Sequence, residues 1–209
     1  IFLPASLFLR FPKSEEKGII NNQKESWTFK FDKILHNVSQ DDLFDYCVKE
    51  IIQKSIEGYN GTAFAYGQTG SGKTFTMSGT PSNYSYRGIV PRAINKVFQE
   101  IGNKPELEVS VKVSYLEIYN ETFFDLLSII PSHQQKGDIS IQEDVKGNLI
   151  LKGLSMIPVQ NEEEAFNLLF EGEANNDALL PRYRDVYFKP GEPTSTFVLK
   201  PEYNDLSRF

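Results

Sequence analysis

The chain has 209 residues, a formal net charge of −6, and 40 % hydrophobic and 24 % charged residues, the balance of a soluble globular protein long enough to bury a sizeable core. No apolar run approaches the ~20 residues that a membrane helix needs, and the acidic balance argues against a broad nucleic-acid-binding surface. Cys47 is the single cysteine, which excludes an intrachain disulfide and any Cys–Cys zinc spacing and suits a reducing compartment.

Ile1 to Leu9 is apolar but lacks a basic lead-in and carries Pro4, so a signal peptide is not expected. With no initiator methionine, the expectation is a chain that starts inside a longer protein. Trp27-Thr28-Phe29-Lys30-Phe31-Asp32 alternates aromatic and polar residues and predicts a half-buried strand. Ser39-Gln40-Asp41-Asp42 is a helix-start pattern, and Leu43, Phe44, Cys47, Ile51, Ile52 and Ile56 share one apolar face up to Gly58. Cys47 is expected there as a small core residue.

Thr62-Ala63-Phe64-Ala65-Tyr66, bounded by Gly61 and Gly67, predicts a short buried strand. Directly after it, Gly67-Gln68-Thr69-Gly70-Ser71-Gly72-Lys73-Thr74 satisfies the whole G-x-x-x-x-G-K-[ST] phosphate-loop pattern. Without a Cβ at Gly67, Gly70 and Gly72 the backbone can curl until successive N–H groups face one concavity, and the following helix adds its positive end. Lys73 is placed to reach the β/γ phosphates of a nucleotide, and the Thr74 hydroxyl to be a Mg²⁺ ligand. From residue frequencies alone, such a match arises in a chain of this length about one time in a hundred.

Ser82 to Ser85 predicts a loop. Pro91 suits a helix's first turn, and Ala93, Ile94, Val97, Phe98 and Ile101 continue that helix to Gly102. Val109 to Tyr115 alternates as a strand, and Glu121 to Leu127 is expected as a short helical turn before Pro131. Two strands between Ile139 and Leu154 flank a hairpin at Lys146-Gly147-Asn148. Glu162 to Phe170 predicts a helix with Ala165, Phe166, Leu169 and Phe170 inward, stopped by Gly172. Beyond Glu173, Pro181, Pro190, Pro193 and Pro201 leave no helix expected, with Thr196 to Lys200 as one strand. Arg182 and Arg184 read as a solvated turn, and His36 and His133 have no metal-ligand spacing around them.

Several stretches, in order and spacing, resemble the first half of a kinesin motor domain. They are Phe29 to Asp32, Gly58 to Thr62, Ala65 to Met77, Gly88-Ile89-Val90-Pro91-Arg92 and Ser114 to Glu121. The resemblance runs from about Ser6 to Glu173. Asn21-Asn22-Gln23, Trp27 and Leu35-His36 are most similar to the kinesin-nine group of ciliary motors. It implies an α/β P-loop NTPase with a mixed central sheet flanked by helices, incomplete in this chain. Residues 1–173 would be the nucleotide-binding half and 174–209 a divergent, proline-rich tail. It implies binding of ATP or ADP with Mg²⁺ through Gly67, Gln68, Thr69, Gly70, Ser71, Gly72, Lys73 and Thr74, with Phe75 near the base and Thr74 on the metal. The intact parent would move on microtubules of the cytoplasmic cytoskeleton, with a cilium or flagellar axoneme as the narrower location; neither nucleic acid nor membrane is a partner. Glu117 is given no catalytic role.

The departures are as informative. Arg10-Phe11-Pro12 does not reproduce the family's adenine-framing Arg-x-Arg-Pro, and Gln142 and Gly147 stand where many kinesins have basic or polar microtubule contacts, beside Lys136 and Lys146. Residues 174–209 contain neither Asn-x-x-Ser-Ser-Arg-Ser-His nor Asp-Leu-Ala-Gly-Ser-Glu, the two switch signatures. No catalytic residue is therefore assigned. The alternative function is a truncated, catalytically silent kinesin-derived interaction or structural protein that at most binds nucleotide.

Overall fold

The computed structural model describes residues 2–3, 6–10, 26–80, 83–106, 108–119, 121–130, 139–143, 145, 149–183 and 195–199. Phe11, Pro12, Asn21 to Gln23, Ser82, Pro131, His133, Lys136, the predicted turn at 146–148, Arg184, Pro190, Pro193 and Pro201 lie outside them. The described residues form a mixed α/β protein.

β1 (Phe2–Leu3), β2 (Ser6–Arg10), β3 (Ser26–Lys30) and β4 (Ile34–Leu35) make two antiparallel pairs, β1 with β4 and β2 with β3. α1 (Gln40–Cys47) begins as expected: Ser39 Oγ accepts from the Asp42 N–H at 3.1 Å and donates to the Asp42 carboxylate at 2.7 Å. The single helix expected to Ile56 is two, because Val48 (φ −126°, ψ −32°) separates α1 from α2 (Lys49–Ile56). Hydrogen bonds nevertheless continue on both sides, from Val48 N to Phe44 O and from Ile52 N to Val48 O.

Phe44, Val48 and Ile52, each four residues apart, point into the core. The expectation for Cys47 fails. It lies about a quarter-turn round the helix from the centre of that stripe and is exposed. The core is completed by Met77 of α3 (Lys73–Met77) and by Ile89, Ala93 and Val97 of α4 (Ile89–Gly102). Between α2 and α3 runs β5 (Gly61–Ala65), with Ala63 and Ala65 packed on this cluster. The strand is not buried on both faces as expected. Phe64 is 67 % exposed, since alternate side chains leave opposite faces and the described residues cover only one.

β6 (Val111–Val113) is shorter than the predicted strand. Residues 121–127, expected as a helical turn, instead contain β8 (Thr122–Asp125), the return of a hairpin from β7 (Leu116–Tyr119) in register Tyr119↔Thr122. Glu121 adopts the left-handed conformation (φ 61°) that a tight hairpin turn requires, and the Phe-Phe pair suits a strand. β9 (Ser140–Glu143) and β10 (Leu149–Lys152) form the predicted hairpin, and β11 (Ile157–Val159) pairs with β6.

α5 (Glu162–Tyr183) starts at Asn161, whose Oδ1 accepts from the Glu164 N–H at 2.9 Å while Glu164 accepts from the Gln160 N–H at 2.7 Å. It runs through Gly172 and past residue 173, so the predicted stop is wrong and Arg182 belongs to a helix. A mid-helix glycine costs only about 1 kcal/mol. Gly172 is there for packing, since a Cβ on it would lie 2.0 Å from the Tyr115 ring. Phe170, expected inward, is 48 % exposed. Finally β12 (Ser195–Leu199), close to the predicted strand, pairs antiparallel with β5. Strands thus pair two by two throughout the described residues.

The Tyr115 hydroxyl is pushed up to about 12, by burial first and then by the charges of Glu173 and Glu117. An unfolded tyrosine titrates near 10, so between about pH 10 and 12 the unfolded chain holds fewer protons than the folded one. Stability from this group is constant below pH 10 and falls by about 2 kcal/mol on the way to pH 12. Tyr115→Phe is expected to flatten that alkaline loss in urea melts at pH 9, 10.5 and 11.5; an unchanged slope refutes it.

Candidate functional site

Residues 67–75 are contiguous and occupy the position foreseen for them, between the carboxyl end of β5 and the first turn of α3. Gly70 (φ 79°) and Gly72 (φ 90°) are left-handed, conformations that cost other L-residues about 1 kcal/mol or more. Ser71 N donates to Gln68 O at 3.1 Å and closes the turn. Gly72 is the N-cap of α3 and supplies no side-chain acceptor, so no side chain competes with an anion for the first-turn N–H groups.

Lys73 is buried, unusual for a lysine. Its ammonium folds back over the loop and donates to the carbonyls of Gly67 (2.7 Å) and Gln68 (2.9 Å). The cation is therefore held at the loop instead of in solvent, next to glycines in anion-nest conformations. Gln68 to Gly72 and Thr74 are exposed around it. A phosphate group fits this donor set: oriented backbone N–H groups, one ammonium and small side chains. The Thr74 hydroxyl, exposed on the first turn of α3, is a hard oxygen ligand of the kind Mg²⁺ takes.

Phe75 is 47 % exposed, with its ring centroid 6.4 Å from that of Tyr86 and tilted by 46°. Its carbonyl accepts from Gln40 Nε2 at 2.7 Å, which fastens the head of α1 to α3. Neither Gln40 nor Tyr86 was foreseen at the site. Their link to residues 67–75 crosses 35 residues in the first case and rests on a tertiary approach in the second, so no local pattern announces them. Arg92 stood in a recognised stretch without a role. The structure buries it and aims its guanidinium at the 84–87 turn and at Asp41 of α1.

Glu117 lies on β7 opposite Phe124, and burial raises its carboxyl above the usual range. The described residues contain no group of three or more His, Cys, Asp or Glu side chains placed to hold a metal ion, and no helix long and apolar enough to cross a membrane. A surface concavity of about 550 Å³ lies away from residues 67–75, between α2 and α4. Among its charges Lys49 pairs with Asp45 at 3.1 Å and Lys54 with Glu57 at 2.7 Å, as on a solvated helix face.

A family profile described as the kinesin motor domain matches residues 9–179. Kinesin-like protein KIF9 of Mus musculus is 46 % identical over 171 residues, covering 81 % of this chain and 22 % of the relative. Kinesin-like protein KLP1 of Chlamydomonas reinhardtii is 45 % identical over 168 residues, 80 % of this chain and 21 % of the relative. Kinesin-like protein KIF27 of Homo sapiens is 40 % identical over 166 residues, 78 % and 11 %. The chain spans about a fifth of the length of the first two. With a P-loop placed between strand and helix and a match over most of its length, the chain belongs to the kinesin motor domain family, in the kinesin-nine group.

Proposed function

We propose that this chain is the ATP-binding part of a kinesin-type microtubule motor, whose intact parent moves along microtubules of the cytoskeleton, in a cilium or flagellar axoneme. The observation that carries the reading is the buried Lys73 ammonium held by the Gly67 and Gln68 carbonyls in a loop whose Gly70 and Gly72 are left-handed. In this reading the backbone N–H groups of Gly70, Gly72, Lys73 and Thr74 would bind the phosphates of ATP or ADP, Lys73 would leave the Gly67 and Gln68 carbonyls for the β/γ oxygens, and Thr74 would hold Mg²⁺. Phe75 offers its exposed face near the base. Mg²⁺ held there would supply charge neutralisation to the nucleotide.

Lys73→Ala removes the side-chain cation from a site otherwise made, among the described residues, of backbone dipoles. Affinity for Mg-ATP and for ADP is expected to fall about ten- to a hundredfold in calorimetric titrations. Equal affinities for the two proteins would defeat the reading.

A second reading is favoured by the composition of residues 174–209, which carry neither switch signature. Phosphoryl transfer depends on positioned groups around the γ-phosphate, so without them this chain binds nucleotide but turns it over at most very slowly. Single-turnover assays with and without polymerised tubulin are expected to show no stimulation. Stimulated turnover that Lys73→Ala abolishes would reject the silent reading and keep the first.

A further inference from the structure

β5 matters beyond its position before residues 67–74, because among the described residues its one pairing partner is β12. The ladder covers the whole strand, from Ser195↔Ala65 to Leu199↔Gly61. β5 itself is held by other means: its inward Ala63 and Ala65 sit on the cluster built by Phe44, Ile52, Met77 and Ala93. One edge of β5 is therefore closed by a segment about 130 residues away in sequence, while its face is fixed by the core. Ser195-Thr196-Phe197-Val198-Leu199 has no glycine or proline and is rich in strand-forming residues. Such an arrangement is that of strand addition, in which main-chain hydrogen bonds supply the affinity for an extended segment.

We propose that the edge of β5 is a strand-acceptor site and that residues 195–199 fill it exchangeably, so that the same site takes an extended peptide of this sequence in trans. The antiparallel register sets the amino end of β12 beside Ala65, two residues before Gly67, so occupancy of the edge also steadies the start of the phosphate loop.

Proline scanning in the full chain tests this. In an antiparallel pair, alternate residues direct both N–H and C=O at the partner strand. Of Thr196→Pro and Phe197→Pro, one is expected to speed hydrogen exchange of the β5 amides that face β12 at least tenfold, and the other to leave them within about twofold. A synthetic peptide of residues 194–200, added in excess to the disruptive variant, is expected to restore protection. Equal effects of the two prolines, no effect of either, or a peptide that restores nothing would each overturn the proposal. If the disruptive variant unfolds altogether, as read from the α4 amides, recovery of their protection with the peptide supports the site, and its failure overturns it.

Discussion

Replacing Gly79 by alanine is expected to destabilise the chain by about 3–5 kcal/mol in urea unfolding. Gly79 has φ 77°, where a side chain is strained whatever the space around it. Space is also lacking: a Cβ there would lie 2.0 Å from the Tyr86 carbonyl oxygen and 2.4 Å from Gly88 N, both backbone atoms that no rotamer change can move aside. The junction it occupies is a stapled crossing. Gly79 bridges Arg87, Thr80 N donates to Tyr86 O at 2.9 Å, and Gly88 N donates to Ser78 O at 3.0 Å. Alanine must break this crossing between the end of α3 and the start of α4. Set against a typical total stability of about 5–15 kcal/mol, the loss is a large share of the whole. A loss under about 1 kcal/mol would mean the crossing is looser than described.

Arg92→Leu is expected to cost about 2–4 kcal/mol, although leucine keeps the apolar volume. The guanidinium donates through Nε to Arg87 O at 2.8 Å and through Nη2 to Ser85 O at 3.2 Å, with a longer approach to Tyr84 O and an ion pair to Asp41. A buried fork of donors meets several acceptors in fixed directions, and leucine leaves those carbonyls without it. Lysine should recover less than half of the loss, because one ammonium cannot serve positions spread across a planar fork. Raising salt in the melts should remove only the part of the difference carried by Asp41, which is 67 % exposed, because the guanidinium's other partners are carbonyls. Full recovery by lysine would assign the role to charge alone.

How much of this could be read from the sequence depends on how local the cause was. The strand–loop–helix placement of residues 67–74 was legible because it is made by consecutive backbone groups, and Ser39 because a cap acts across three residues. Ala93 and Val97 of the α4 stripe follow from helical spacing. Gly172 was misread because a glycine that admits the Tyr115 ring and a glycine that ends a helix look alike until the partner is known. Residues 121–127 were misread because two phenylalanines before two leucines fit either period, and the decision lies in Glu121 turning left-handed. Cys47 failed by one residue of helical phase. The partner of Gln40, the Asp41 partner of Arg92 and the pairing of β5 with β12 lie 35 to about 130 residues away, where no pattern along the chain reaches.

The distance between β5 and β12 also has a consequence in time. At about 5–20 residues per second of synthesis, Val97, which closes the apolar cluster, follows Ala65 by roughly 2–6 s, whereas Leu199 follows it by roughly 7–27 s. On a ribosome the strand is thus seated on its core well before its neighbour exists. For most of that interval its open amides are available to any extended chain nearby, and co-translational chaperones that mask such edges would act on this protein in that window.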